Sequence, residues 1–291
     1  MIDFQGDDFW EGPDLTYRLR EEYEDEVKIA DRLDSLLSQP GANQLTRLII
    51  GAWSGACEGG DSTDIVAKLV DLSPQLPNLR ALFFGEMTFE ECEISWIQQT
   101  DLSPLLTAFP NLQVLRIRGG TGLTFSRVKH NALRELAIES GGLSQSTLRE
   151  LFLCDFPQLE HLELLLGDEG YGFDGSPEDL QPLLSGKLYP KLKFLGLMNS
   201  EIANELAAVV VNSPIVSRLE TLDLSMGNLT TEGVQSLHGL AAYKNLKQLN
   251  LTHHYASPEA IAALARAVPC NVIADEPQDP DDEWRPIVHA E

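Results

Sequence analysis

A six-residue phrase with apolar side chains at its first, fourth and sixth places recurs along the chain. It reads LTRLII from Leu45, LRALFF from Leu79, LQVLRI from Leu112, LRELAI from Leu133, LEHLEL from Leu159, LKFLGL from Leu192, LETLDL from Leu219 and LKQLNL from Leu246. The fourth and sixth residues fall on one side of an extended segment and the fifth on the other, so each copy predicts a short strand with one buried face and one wet face. Between the copies the apolar period changes to that of a helix. Ile65, Val66, Leu69 and Val70 share a face in TDIVAKLVDL after Ser62. Ser176 and Ser257 each precede a proline, as in SPEDLQPLL and SPEAIAALARAV, which is the chemistry of a helix start. Asp101 is expected to start DLSPLLTAF, and Ser200 to start SEIANELAAVVV. Phrases such as LPNL, FPNL, FPQL and YPKL precede strands, where the proline ends the helix and turns the chain.

Start-to-start spacings of the eight copies are 34, 33, 21, 26, 33, 27 and 27 residues, the range of leucine-rich repeats that carry a helix. A unit of strand and crossover helix cannot bury its faces alone, so successive units must stack. The predicted fold is therefore an α/β leucine-rich-repeat solenoid: an open arc, with parallel strands on the concave face and helices on the convex face. Both ends need covers. Residues 1–44 form the expected N-terminal cap, with a strand in LTYRLR and an amphipathic helix presenting Ile29, Leu33, Leu36 and Leu37. Residues 45–270 form the array, and 271–291 the acidic C-terminal cap or tail. In that tail Asn271, Val272 and Ile273 are expected to make a last strand, and the remainder to be loose or packed along the last repeat through Trp284.

The phrase LDLSMGNLTTEGVQSL, from Leu222 to Leu237, resembles the ribonuclease-inhibitor-like class of leucine-rich repeats, with an Asn-containing turn at Asn228 and a helix opening near Gly233. The chain as a whole resembles a family of bacterial cytoplasmic leucine-rich-repeat proteins without an assigned activity. FEECEISWIQQTDLSPLL from Phe89, ESGGL from Glu139, LGDEGYG from Leu166, LMNSEIA from Leu197, LTHHY from Leu251 and DDEW from Asp281 carry that likeness. It implies fold and compartment and leaves activity open.

Hydrophobic residues make up 43% of the 291, enough for a continuous core. The formal charge is −24, with 21 Lys and Arg against 45 Asp and Glu, which argues against nucleic acid or an anionic membrane as partner. A basic protein is the partner such a charge would steer, although acidity also serves solubility. Cys57, Cys92, Cys154 and Cys270 have no metal-finger spacing and are expected to be reduced, mostly buried thiols. The opening MIDFQGDDFW has neither the basic nor the apolar region of an export signal, so a cytoplasmic location is expected.

Candidate chemistry lies on the predicted concave face. Phe83, Arg116, Arg118, Glu139, Glu163, Asn199, Asp223, Ser225, Asn250, His253 and Tyr255 fall between or just after the leucines. There they would bind a macromolecule, with Phe83 and Tyr255 as aromatic anchors and the arginines as carboxylate partners. The plainer alternative is that they solvate the sheet and pair across neighbouring strands. His253 and His254 are adjacent, point oppositely on a strand and so are not a ligand pair. The loop from Gly167 to Asp179 gathers Asp168, Glu169, Asp174 and Asp179 without EF-hand spacing, and is expected to be an acidic contact loop. In the insertion GEMTFEECEISWIQQT after Phe84, Phe89 and Trp96 are expected to pin the segment to the core, the alternative being exposed anchors. Neither a nucleophile elbow nor a phosphate loop is found. The expected function is thus a non-catalytic protein-interaction module without cofactor. Two alternatives are a metal-binding protein or enzyme at the His253–Tyr255 corner or the Gly167–Asp179 loop, and a structural subunit of a larger assembly.

Overall fold

The computed structural model describes residues 1–6, 10–21 and 26–290. Every copy of the repeated phrase is a strand. In chain order the strands are β1 (Ile2–Asp3), β2 (Tyr17–Leu19), β3 (Arg47–Ile50), β4 (Ala81–Phe84), β5 (Val114–Arg118), β6 (Glu135–Glu139), β7 (His161–Gly167), β8 (Phe194–Ser200), β9 (Thr221–Asp223), β10 (Gln248–Asn250) and β11 (Asn271–Ile273). All pair in parallel, and their order in the single sheet is their order in the chain. β11 pairs only with β10 and β1 only with β2 among the described residues, so the sheet is an open solenoid of the leucine-rich-repeat kind.

The crossovers supply α1 (Ile29–Ser38), α2 (Thr63–Leu72), α3 (Ser103–Ala108), α4 (Gln145–Leu151), α5 (Gln181–Leu184), α6 (Ala203–Val210), α7 (Thr231–Ser236) and α8 (Pro258–Ala267). The apolar stripe of α1 buries Ile29, Leu33 and Leu36, with Leu37 half-buried against the same core. Ser257 caps α8 by accepting from the Ala260 N–H, and Asp101 accepts from the Ser103 N–H at the start of α3. Helix α4 was not foreseen from the apolar period. Its signal is local, since Ser144 Oγ accepts from the Thr147 N–H and satisfies a donor that the first turn leaves free. The stretch after Ser176 departs from expectation. Only Gln181–Leu184 is helical, because the Asp179 carboxylate accepts from both the Ser176 N–H and its hydroxyl, and this holds residues 176–179 in a turn.

The strand leucines at the fourth and sixth places (Leu82 and Phe84, Leu115 and Ile117, Leu136 and Ile138, Leu162 and Leu164, Leu195 and Leu197) are buried, most of them completely. They form one core running from Phe4 to Val268. Each fully buried leucine contributes roughly 1.5–3 kcal/mol relative to exposure, so the ladder of equivalent positions is the main stabilising term. At Gly167, which ends β7 with φ +85°, an added Cβ would stand 1.8 Å from the Gly141 carbonyl oxygen. Two backbones meet there with no room for a side chain.

Three expectations are corrected. The insertion at 85–100 is held by Met87, Cys92, Ile94 and Ile97, all buried, while Phe89 and Trp96 are 60% and 55% exposed. Cys57 and Cys92 are joined as a disulfide, Cα to Cα 5.5 Å, and leave Cys154 and Cys270 as the free thiols among the described residues. That bond ties the insertion to the loop after β3. The C-terminal tail docks through Ile287, which is buried, while Trp284 stands 81% exposed. No helix among the described residues is long and apolar enough to cross a membrane.

Candidate functional site

Parallel pairing in constant register aligns one residue of the concave side from each strand. The central row of the concave face runs Asp3, Arg18, Ile49, Phe83, Arg116, Ala137, Glu163, Gly196, Asp223, Asn250 and Ile273. Five of the sequence-selected residues, Phe83, Arg116, Glu163, Asp223 and Asn250, therefore lie in one line. Arg118 and Glu139 pair one row nearer the strand ends, where Leu165 and Met198 also pair.

Arg116 is the hub of this surface. Its Nη1 donates to Glu139 Oε1 at 2.7 Å and its Nη2 to Glu163 Oε2 at 3.1 Å, with Glu135 at 3.8 Å. Arg118 approaches the other Glu139 oxygen at 3.5 Å. His161 Nε2 lies 2.6 Å from Glu163 Oε1, and its ring stacks on Phe194 at 3.8 Å. The guanidinium of Arg116 also lies 6.0 Å from the Phe83 ring centroid, within cation–π range. Burial alone would lower the Arg116 pKa, but its bond to Glu139 and the charges of Glu163, Glu139 and Glu135 outweigh that and raise it. Glu163 is held below the usual carboxylate range, first by its bond to His161 and then by Arg116, against the opposing effect of burial. Both groups are charged at neutral pH.

This cluster floors a pocket of about 190 Å³. Ile94 of the insertion and His289 of the tail close it, and Met198, Met226 and Leu165 complete its apolar lining. None of these five was singled out in the sequence. The available signal was the repeat register, which puts Leu165 and Met198 opposite each other; nothing local marks Ile94 or His289 as neighbours of Arg116. A second charged group sits nearer the N-terminus, where Arg18 pairs with Glu86 and with Glu91 (2.6 Å) and Arg20 pairs with Glu91 (2.9 Å) and Asp3 (3.2 Å). The sequence reading missed it because its carboxylates at 86 and 91 come from the insertion, not from a strand.

The remaining selected residues gather at the C-terminal ends of β8, β9 and β10, and they are covered. Asn199, Asp223, Ser225 and Tyr255 are buried, and His253 is half-buried. Asp223 accepts from the Ser225 N–H (2.9 Å) and from Asn250 Nδ2 (2.8 Å). Tyr255 is thus not an exposed anchor: its hydroxyl donates to the Pro286 carbonyl at 2.9 Å, and burial raises its pKa. Asn199, Met226 and His253 stand three places after Gly196, Asp223 and Asn250, so they are equivalent positions of successive repeats. All three adopt left-handed backbone, with φ of +50°, +69° and +60°. Such angles cost a non-glycine residue energy and persist only where the surroundings hold them. Here the ladder does so: their N–H groups donate to the carbonyls of Ser225, Thr252 and Asp275 in the following repeat.

At the acidic loop, Asp168 caps the turn at Glu169–Tyr171, Asp174 accepts from the Gln145 N–H, and Asp179 binds Ser176, Gln145 and Arg149. These carboxylates hold the loop in place. His254 is buried and its Nδ1 accepts from the Ala256 N–H, which shapes the turn after β10.

No family model and no curated protein sequence matches the chain. Among solved structures, an internalin from Listeria monocytogenes is 18% identical, with 90% of this chain and 62% of that chain covered and a TM-score of 0.40, a likeness too slight to bear on the site. A protein from Bacteroides fragilis, solved by crystallography as a structural-genomics target, superposes with a TM-score of 0.82 at 35% identity. The match covers 91% of this chain and 73% of the Bacteroides fragilis chain, and on that extent and identity this chain belongs to the same family as that protein.

Proposed function

We propose that this protein is a non-catalytic protein-interaction module that docks a polypeptide partner on the concave face around Arg116. One observation carries the reading: Phe83, Arg116, Glu163, Asp223 and Asn250 stand in one rigid row, and Arg116 and Glu163 of that row line a pocket that Ile94 of the insertion and His289 of the tail also line. An array already ordered by folding presents its contacts without further loss of side-chain freedom on binding. The row mixes signs, with Arg18 and Arg116 among Asp3, Glu163 and Asp223, so it suits a partner matched charge by charge better than a uniformly basic one. Nucleic acid and membrane surfaces are outside the proposal, given the net charge of −24.

Within this reading residues 1–44 and 271–291 close the two ends of the 45–270 array. The repeat is assigned to the ribonuclease-inhibitor-like class on the Asn228 turn, where Nδ2 donates to the Glu201 carbonyl at 2.6 Å and Oδ1 receives from the Ala203 N–H at 3.4 Å. Cytoplasmic work is also part of the proposal; the Cys57–Cys92 disulfide stands against it, because a reducing compartment favours thiols, and the proposal of a cytoplasmic site falls if that bond is present in protein from the native cell.

The test is affinity capture from the native cell followed by charge exchange. Arg116→Glu or Glu163→Arg should weaken the captured partner on the order of tenfold or more, and Lys68→Glu on α2 should leave it unchanged. The proposal fails if the α2 change abolishes binding while both concave changes leave it intact.

A further inference from the structure

After β11 the chain turns back and runs over the ends of three earlier strands. Pro286 offers its carbonyl to the Tyr255 hydroxyl at 2.9 Å and lies 3.4 Å from His253 Nε2. The Val288 N–H donates to the Met226 carbonyl at 3.0 Å. Asn199 then grips both backbone groups of His289, its Oδ1 receiving the N–H at 2.8 Å and its Nδ2 donating to the carbonyl at 2.6 Å. Beyond it the Ala290 carbonyl passes so close to Gly141 that a Cβ there would stand 2.3 Å from the oxygen. The residues touching the tail at successive repeats are His253, Met226 and Asn199, the three left-handed positions.

A side-chain amide that satisfies both the N–H and the C=O of one residue recognises an extended backbone and ignores the side chain attached to it. The neighbouring contacts are of the same kind, since Met226 and Tyr255 also engage backbone atoms. Ile287 is the buried side chain of the docked segment, while Val288 is 41% exposed and Trp284 81%. Strain held at three equivalent positions, a glycine where the visiting backbone comes closest, and a buried asparagine aimed at that backbone make a track one extended segment wide.

We infer that the strand-end rim of β8–β10 is a binding track for an extended peptide with one buried aliphatic side chain, and that this chain's residues 286–290 are its resident occupant. The inference deepens the proposed function by naming the partner's form: an unstructured segment carrying an aliphatic residue two places before the residue whose backbone Asn199 holds. The resident tail covers His289's side of the Arg116 pocket. A partner segment that displaces it therefore uncovers the charged cluster as it docks. Because the tail is tethered, it competes at an effective concentration of order millimolar, so a free peptide meets a track that is largely filled.

The experiment uses the full chain and a labelled synthetic peptide, DEWRPIVHA, corresponding to Asp282–Ala290. In the doubly substituted chain Ile287→Asp with His289→Pro, the tail loses its buried side chain and its N–H, while the solenoid is untouched. Fluorescence anisotropy should show the peptide binding this chain on the order of tenfold or more tighter than the wild type. Adding Asn199→Ala should remove the binding, and a peptide with the Ile287→Asp change should not bind at all. Since Asn199 is fully buried and its loss could unfold the array, circular dichroism of that variant and the peptide-side substitution together keep the result readable. Equal affinity for both chains, binding that ignores the peptide's isoleucine, or no binding to the loosened chain at millimolar peptide overturns the inference. So does a wild-type dimer by light scattering that the tail substitutions dissolve, because the track would then serve a second copy. Failure here leaves the Arg116 charge-exchange result standing, and failure there leaves the peptide result standing.

Discussion

Replacing Arg116 by methionine removes the hub of the concave charge cluster while keeping most of the side chain's apolar length. The side chain is 31% exposed, and its guanidinium makes close contacts to Glu139 at 2.7 Å and Glu163 at 3.1 Å. An exposed pair is worth about 0–1 kcal/mol, and stripping one partner from a fully buried pair costs about 3–5 kcal/mol. Arg116 lies between these limits, and the carboxylates it abandons keep other partners: Glu163 retains His161 at 2.6 Å and Glu139 retains Arg118 at 3.5 Å. The expected loss is therefore about 1–2 kcal/mol. In urea, with a slope of about 3 kcal/mol per molar for a chain of this size, that is a midpoint drop of roughly 0.5 M. Pairing the change with Glu163→Gln in a double-mutant cycle should give a coupling of about 1 kcal/mol. The Glu163 pKa is depressed in the fold, so its contribution is full above the ordinary glutamate value of 4.5 and fades as the pH falls through the lower folded value. The gap between wild type and Glu163→Gln should accordingly close below about pH 4.5. A coupling near zero, or a gap that widens in acid, would refute the view that Arg116 and Glu163 act as a charged unit.

Gly167→Ala should cost about 3 kcal/mol or more in a thermal or urea melt, because the new Cβ meets backbone at 1.8 Å as well as a left-handed φ. Gly172→Ala, whose Cβ would find only a 3.6 Å contact, should cost about 1–2 kcal/mol; equal losses at the two sites would contradict the close approach at Gly167. Burial, and then the charge of Arg118, depress the His289 pKa despite Glu139. The released tail thus binds protons more readily, and docking that is complete well above about pH 6.5 should weaken as the pH falls below it. Amide shifts of Val288 and His289 would report this, and docking that tightens in acid would be the contrary result. Alkylation of unfolded, unreduced protein should modify two cysteines, Cys154 and Cys270, and reach all four only after reduction. Four at the outset would mean that Cys57 and Cys92 remain thiols.

The part of the fold governed by local period is legible along the chain. Leucines at the fourth and sixth places, repeated at 21–34 residues, can be buried only if the units stack in parallel, and all eight copies are strands of one sheet. The same alternation put Phe83, Arg116, Glu163, Asp223 and Asn250 on the concave side, because a period of two leaves the fifth residue no other choice. Register then decided which of them align. The docking of the tail was illegible for a physical reason: its hydrogen bonds use backbone groups of the tail, and backbone carries no residue type. The tail returns 90 residues to Asn199 through hydrogen bonds that any non-proline residue at 289 could make, so the acidic, proline-containing sequence gave no sign of where it would settle. The insertion is a different case: Phe89 and Trp96, the expected pins to the core, stay exposed, and Met87, Cys92 and Ile97 fill the core instead. Packing between repeats settles that choice, because the space available beside β4 is set by neighbouring repeats and not by the insertion itself.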